Sequence, residues 1–155
     1  MSEPTSQGQT TQGGGPAGHE IVHGTCVAVG PRAALIIGKS GIGKSALALE
    51  LMALGAHLIA DDRTVVSLDH GRVVASAPDT IRGQIEARGI GVLGVKAAPP
   101  TRLDVVIDLA QQEDARLPER RFYSLMGQNI PLLYRGQGRS FAAALMVYLQ
   151  SERID

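Results

Sequence analysis

The chain has 155 residues, 15 basic and 15 acidic side chains for a formal net charge of zero, and one cysteine. That length fits a single domain, and the charge balance argues against a general nucleic-acid binder, which carries a basic excess. No apolar run approaches the roughly 18 residues of a membrane-spanning helix; one cysteine allows no internal disulfide, and the whole suits a reducing cytoplasm.

Residues 1–18 are dominated by Ser, Thr, Gln, Gly and Pro and show no apolar periodicity. Such a segment cannot bury enough surface to offset its ordering entropy. It also lacks the basic and apolar regions of a signal peptide. A disordered tail is expected there, with one folded domain over residues 19–155.

Strands are expected over Gly24–Val29 and Ala33–Ile37, with Pro31 marking a tight turn between them. Cys26 lies in the first of these, where a buried core thiol is a better reading than a catalytic one. The next eight residues, Gly38-Lys39-Ser40-Gly41-Ile42-Gly43-Lys44-Ser45, fit the phosphate-binding pattern G-x-x-x-x-G-K-[ST]. Each fixed position has a physical job. The glycines let backbone approach a phosphate, and the N–H groups of the loop and of the following helix converge on its oxygens. Lys44 would reach the β- and γ-phosphates, and the Ser45 hydroxyl would join a Mg²⁺ shell. A glycine-rich surface turn is the bland alternative. The order of apolar strand, glycine loop and helix former run (Lys44–Leu54, stopped by Gly55) favours the phosphate reading.

A short apolar strand, His57–Ala60, ends in Asp61-Asp62. Carboxylates placed just after the loop helix can hold Mg²⁺ or accept a proton from an incoming hydroxyl. His57 itself reads as structural. Strands follow at Thr64–Leu68 and Arg72–Ser76, joined by the hairpin turn Asp69-His70-Gly71. The stretch from Ile81 to Gly91, taken alone, reads as a charged, irregular connector. Further strands are expected at Leu103–Leu109 and Ile130–Tyr134, with a solvated charged loop from Arg116 to Arg121. A last helix spans Ser140–Leu149, where Phe141, Leu145 and Tyr148 recur at helical spacing as core or subunit contact. One loop helix among several hairpins predicts an α/β fold with a mixed, hairpin-rich sheet, not a doubly wound one.

Four segments, in order, resemble the C-terminal catalytic domain of HPr kinase/phosphorylase, a bacterial serine kinase acting on the phosphocarrier protein HPr. They are Val22-His23-Gly24, the loop Gly38 to Ser45, Ala60-Asp61-Asp62-Arg63, and Ile85-Glu86-Ala87-Arg88-Gly89-Ile90-Gly91. Tyr134-Arg135-Gly136-Gln137-Gly138-Arg139 is a looser match. The resemblance implies a nucleotide-binding core similar to that of phosphoenolpyruvate carboxykinase, with ATP and Mg²⁺ as cofactors and an HPr-type protein as partner. It implies that Asp62 takes the proton from the acceptor serine, with Asp61 its neighbour at the metal and Glu86 a Mg²⁺ ligand. His23 and Arg88 would line the site. A later arginine also acts in the family, and Arg120 is the nearest candidate. The family forms hexamers, so a homo-oligomer is expected.

The chain reads as a short form without the N-terminal domain that members often carry. Lys39 stands where relatives more usually have an acidic or small polar residue, and the segment linked to the reverse, phosphorylase reaction diverges at Arg135 to Arg139. Kinase activity is therefore the firmer expectation. Two rivals stay open: a small-molecule kinase or ATPase on the same loop, and a nucleotide-binding regulator without turnover. A pure binder does not need the set Asp61, Asp62 and Glu86.

Overall fold

A computed structural model describes residues 18–155; the tail expected over residues 1–18 lies, apart from Gly18, outside the described residues. Its framework begins with β1 (His19–Val29), which changes partners half-way. Residues His19 to His23 pair antiparallel with β4 (Arg63–Asp69). From Gly24 onward the strand pairs with β2 (Arg32–Ile37) and with β3 (His57–Ala60), both antiparallel. At Gly24 the backbones leave no room for a side chain: a Cβ there would meet the Ile36 carbonyl oxygen at 2.7 Å.

The hairpin expected at Asp69-His70-Gly71 joins β4 to β5 (Arg72–Ser76). The long strand β8 (Thr101–Gln112) runs parallel to β2 on one side and to β10 (Gln128–Arg135) on the other. An outer strand, β9 (Arg121–Leu125), pairs antiparallel with β10. The order is β9-β10-β8-β2-β1-β4-β5, with β3 beside β1. The start of β8 also pairs with β5, Arg102 opposite Val74 and Thr101 opposite Ala75, so β8, β2, β1, β4 and β5 close into a ring. The mixed, hairpin-rich sheet expected from the sequence is present.

Two apolar layers hold this sheet. On one face, α1 (Lys44–Ala53) and α2 (Phe141–Leu149) pack Leu51, Leu145 and Leu149 against Ile36, Leu58 and Ile107. Each such fully buried side chain contributes roughly 1.5–3 kcal/mol of hydrophobic stabilisation. Leu145 thus belongs to the core, with Phe141 and Tyr148 partly buried beside it. The other face gathers Cys26, Leu35, Val66 and Val106 from the strands of the ring. No helix among the described residues is long and apolar enough to cross a membrane.

The connector expected from Ile81 to Gly91 is instead a hairpin. After a 3-10 turn at Asp79–Ile81, β6 (Gln84–Ala87) and β7 (Gly91–Gly94) pair antiparallel. Ile85 and Ala87 alternate inward and are buried, which sends Glu86 to the opposite side. Two inward residues in four are too short a signal to stand out beside three glycines and several charges. The hairpin matters because it carries Glu86 and Arg88 to the same cleft as Asp61 and Asp62.

Candidate active site

The loop Gly38 to Ser45 leaves β2 and feeds directly into α1. Gly43 caps the helix at φ 110°, a left-handed conformation that suits glycine, and no side chain caps the helix N-terminus. The first-turn N–H groups are therefore available to an anion. Lys44 is buried, and its ammonium donates to the carbonyls of Gly38 at 2.7 Å and Lys39 at 3.1 Å. A buried charge must be paired; here the loop curls around the cation it carries. The Ile42 N–H donates to the Lys39 carbonyl at 3.2 Å and closes the turn.

Asp61 is the hub beside the loop. Its Oδ1 accepts from the Ser45 hydroxyl at 2.6 Å and from the Thr25 hydroxyl at 3.1 Å. Its Oδ2 accepts from the Glu86 backbone N–H at 3.1 Å. One carboxylate so joins the loop helix, β1 and the β6–β7 hairpin.

Asp62 faces elsewhere. The Arg63 N–H donates to the Asp61 carbonyl at 2.8 Å across Asp62, whose φ is 73°. An i to i+2 bond around a positive-φ centre is a strained γ-turn, the kind of local cost found at functional sites. The turn is held by the Asp62 N–H donating to Thr25 Oγ1 at 3.1 Å and by the Gly24 N–H donating to the Asp62 carbonyl at 2.9 Å. The Asp62 carboxylate then shares a hydrogen bond with His23 Nε2 at 2.8 Å. Adjacent acids on a strand point to opposite faces; the γ-turn keeps both on one cleft while giving each different partners.

That cleft has a volume of about 630 Å³ and is lined by Lys44 and Ser45 of the loop, Asp61 and Asp62 of the turn, and Glu86 and Arg88 of the hairpin. Ser40, Gly41 and Gly43 line it as well, whereas Gly38, Lys39 and Ile42 build the back of the loop. His23 reaches the site through Asp62. Arg120 is not brought there. Its guanidinium donates to the Asp155 carbonyl at 2.7 Å and the Arg153 carbonyl at 3.4 Å, so in this chain it ties down the C-terminal segment. His57 opens β3 opposite Ala28, is exposed and does not line the cleft. Among the described residues, no three His, Cys, Asp or Glu side chains gather as a metal cage.

Sequence reasoning missed Thr25. It is fully buried between Gly24 and Cys26 and serves both acids at once. The available signal was a hydroxyl in an apolar strand, since a buried hydroxyl must find partners.

Residues 16–130 match the family described as the HPr Serine kinase C-terminal domain. A protein named HPr kinase/phosphorylase from Caldicellulosiruptor bescii is 36% identical to the chain over 124 residues, covering 72% of this chain and 40% of the relative. Another of that name, from Lactobacillus acidophilus, is 31% identical over 86% of this chain and 50% of its own length. The chain thus spans half or less of the length of these two curated relatives. The structure described as the Hpr(Ser) kinase/phosphatase from Coxiella burnetii superposes with a TM-score of 0.73 at 23% identity, covering 84% of this chain and 88% of that one. At that identity the likeness is one of fold.

Proposed function

The chain belongs to the HPr Serine kinase C-terminal domain family, and from that premise we propose that it is an ATP-dependent serine kinase acting on an HPr-type phosphocarrier protein and so regulating a phosphotransferase system. The observation that carries this reading is the convergence of Lys44, Ser45, Asp61, Asp62 and Glu86 on one cleft at the N-terminus of α1. In this reading Gly38 to Ser45 is a phosphate-binding loop within a core like that of phosphoenolpyruvate carboxykinase.

The residues fit Mg²⁺. Ser45 and Asp61 oxygens already sit 2.6 Å apart, and Glu86 lines the same cleft. Mg²⁺ usually takes one or two protein carboxylates together with phosphate and water oxygens, so it needs no all-protein cage. Bound with nucleotide, the ion supplies compensation for phosphate charge.

The rest falls to the chain. Lys44 exchanges its loop carbonyls for phosphate oxygens. Loop amides fix the donor, and Arg88 faces the group in transfer. Asp62 accepts the proton of the serine hydroxyl while the new O–P bond forms, the β–γ bridge breaks and ADP leaves. His23 orients Asp62 through their hydrogen bond. In the phosphorylase direction Asp62 would relay a proton from the attacking phosphate to the serine oxygen, as the serine O–P bond breaks and pyrophosphate forms.

Radiolabelled ATP with an HPr-type protein tests the reading, comparing wild type with Lys44→Ala and Asp62→Asn. Phosphoserine is expected with wild type and at background with both variants. Equal labelling in all three would overturn the site assignment, and no labelling with wild type across Mg²⁺ and nucleotide conditions would overturn the kinase.

A further inference from the structure

The loop is also held from behind, by a residue of the looser-matching segment that follows residue 130, where the family model's match ends. Arg135 closes β10. Its Nη2 donates to the Ile42 carbonyl at 3.1 Å and its Nε to the Leu109 carbonyl at 3.3 Å. The arginine is itself firmly seated. The pairing of β10 with β8 shifts register between Tyr134 and Arg135. The Arg135 carbonyl accepts from the Glu113 N–H at 2.9 Å and from Gln112 Nε2 at 3.2 Å. The next residue, Gly136, runs so close to Phe141 that a Cβ would lie 2.4 Å from its ring.

The Ile42 carbonyl and the Gly43 N–H belong to one planar trans peptide and point in opposite directions. Holding that carbonyl on the guanidinium turns the Gly43 N–H away from Arg135. Gly43 lines the cleft and Arg135 does not. From the other side, Lys44 holds the carbonyls of Gly38 and Lys39. Before nucleotide binds, three loop carbonyls are thus held by two cations; once Lys44 turns to phosphate oxygens, the Arg135 grip on the Ile42 carbonyl is the one that stays.

We infer that Arg135 is a positioning residue for nucleotide binding: by gripping the Ile42 carbonyl it aims the Gly43 amide at a phosphate and keeps the loop formed. The inference rests on the proposed phosphate-binding role of the loop and adds to it a residue 93 positions from Ile42. Arginine suits the task because its planar fork serves the Ile42 and Leu109 carbonyls together; a lysine ammonium in its place lacks that geometry.

The test uses the full chain, uniformly ¹⁵N-labelled, as wild type, Arg135→Gln and Arg135→Lys, titrated with Mg²⁺ and a non-hydrolysable ATP analogue. The Gly43 amide resonance and the affinity are read together, with thermal melting as a control and adenosine as a ligand without phosphates. Arg135→Gln is expected to weaken analogue binding about tenfold or more, the scale of a lost charge-assisted hydrogen bond. Its Gly43 amide should lose most of its ligand-induced shift, while adenosine binding and melting stay near wild type. Arg135→Lys should recover part of the affinity; if Arg135→Gln melts early, the lysine variant carries the comparison. Wild-type affinity and Gly43 shift in the variants would overturn the inference, as would an equal loss for adenosine. A wild type that binds no analogue would instead remove the phosphate-binding reading beneath it.

Discussion

The Ser45 hydroxyl donates to Asp61 Oδ1 at 2.6 Å, joining the last residue of the loop to the acid at the end of β3. Asp61 also receives the Thr25 hydroxyl and the Glu86 N–H. The two residues should therefore differ when mutated. Ser45→Ala removes one oxygen and leaves the other bonds of Asp61 intact. It should raise the Mg²⁺ concentration needed for half-maximal nucleotide binding by roughly tenfold, the effect of about 1.4 kcal/mol, with little change in melting. Asp61→Ala strands three donors and should lower both Mg²⁺ response and thermal stability. Fluorescent-nucleotide titrations over a Mg²⁺ series check both. An Asp61→Ala protein with wild-type melting would contradict the hub role.

Asp62 is separable from its neighbour because its carboxylate meets His23 and not the loop. Asparagine tolerates the left-handed conformation that Asp62 holds at φ 73°, so Asp62→Asn should keep the γ-turn and lose only the proton acceptor. Nucleotide affinity should stay within about threefold, while phosphoryl transfer falls by roughly 10²–10⁴, the usual worth of a general base. His23→Gln should cost less, since it removes an orienting partner. A transfer rate for Asp62→Asn within twofold or so of wild type would rule Asp62 out as the base.

The loop, β2, α1 and the Asp61-Asp62 step were legible in the sequence because each is a local pattern with a fixed spacing. The first half of β1 was not. Strand expectation began at Gly24, but the strand starts at His19, where pairing with β4 holds a stretch of mixed polarity extended. The β6–β7 hairpin was hidden because only Ile85 and Ala87 mark its buried side. Arg120 and Arg135 show the harder limit. Where an arginine ends up depends on strands and termini brought together only by the fold; the family resemblance put the first near the site and took the second only as part of a loosely matching, divergent segment. Thr25 lies between these cases: its type and burial were readable, its two partners 36 and 37 positions away were not.

Gly24 sits where β1 changes partners, and its N–H supports the Asp62 carbonyl. Gly24→Ala would press a Cβ to 2.7 Å from the Ile36 carbonyl oxygen, a backbone atom that cannot swing aside. Overpacking of this kind costs about 1–3 kcal/mol. Urea unfolding should show that loss, and transfer activity should fall with it because the γ-turn moves with the strand. A variant as stable as wild type would show that β1 and β2 can part at no cost.

Cys26 is fully buried, and burial pushes its thiol well above its ordinary value of 9.0. Since the thiolate is the reactive form, the native protein should resist iodoacetamide at pH 8 under conditions where urea-unfolded protein is alkylated. The same burial has a sign in stability. Folded protein keeps the thiol proton and unfolded protein releases it above pH 9.0, so the unfolded state binds fewer protons and stability declines as pH rises. The slope from this one group approaches about 1.4 kcal/mol per pH unit. Other groups ionise in that range, so the measurement is a difference. Unfolding free energies of wild type and Cys26→Ala, followed from pH 8 to 10.5, should converge as wild type loses its thiol contribution. Parallel curves, or alkylation of native protein as fast as unfolded, would place Cys26 within reach of solvent.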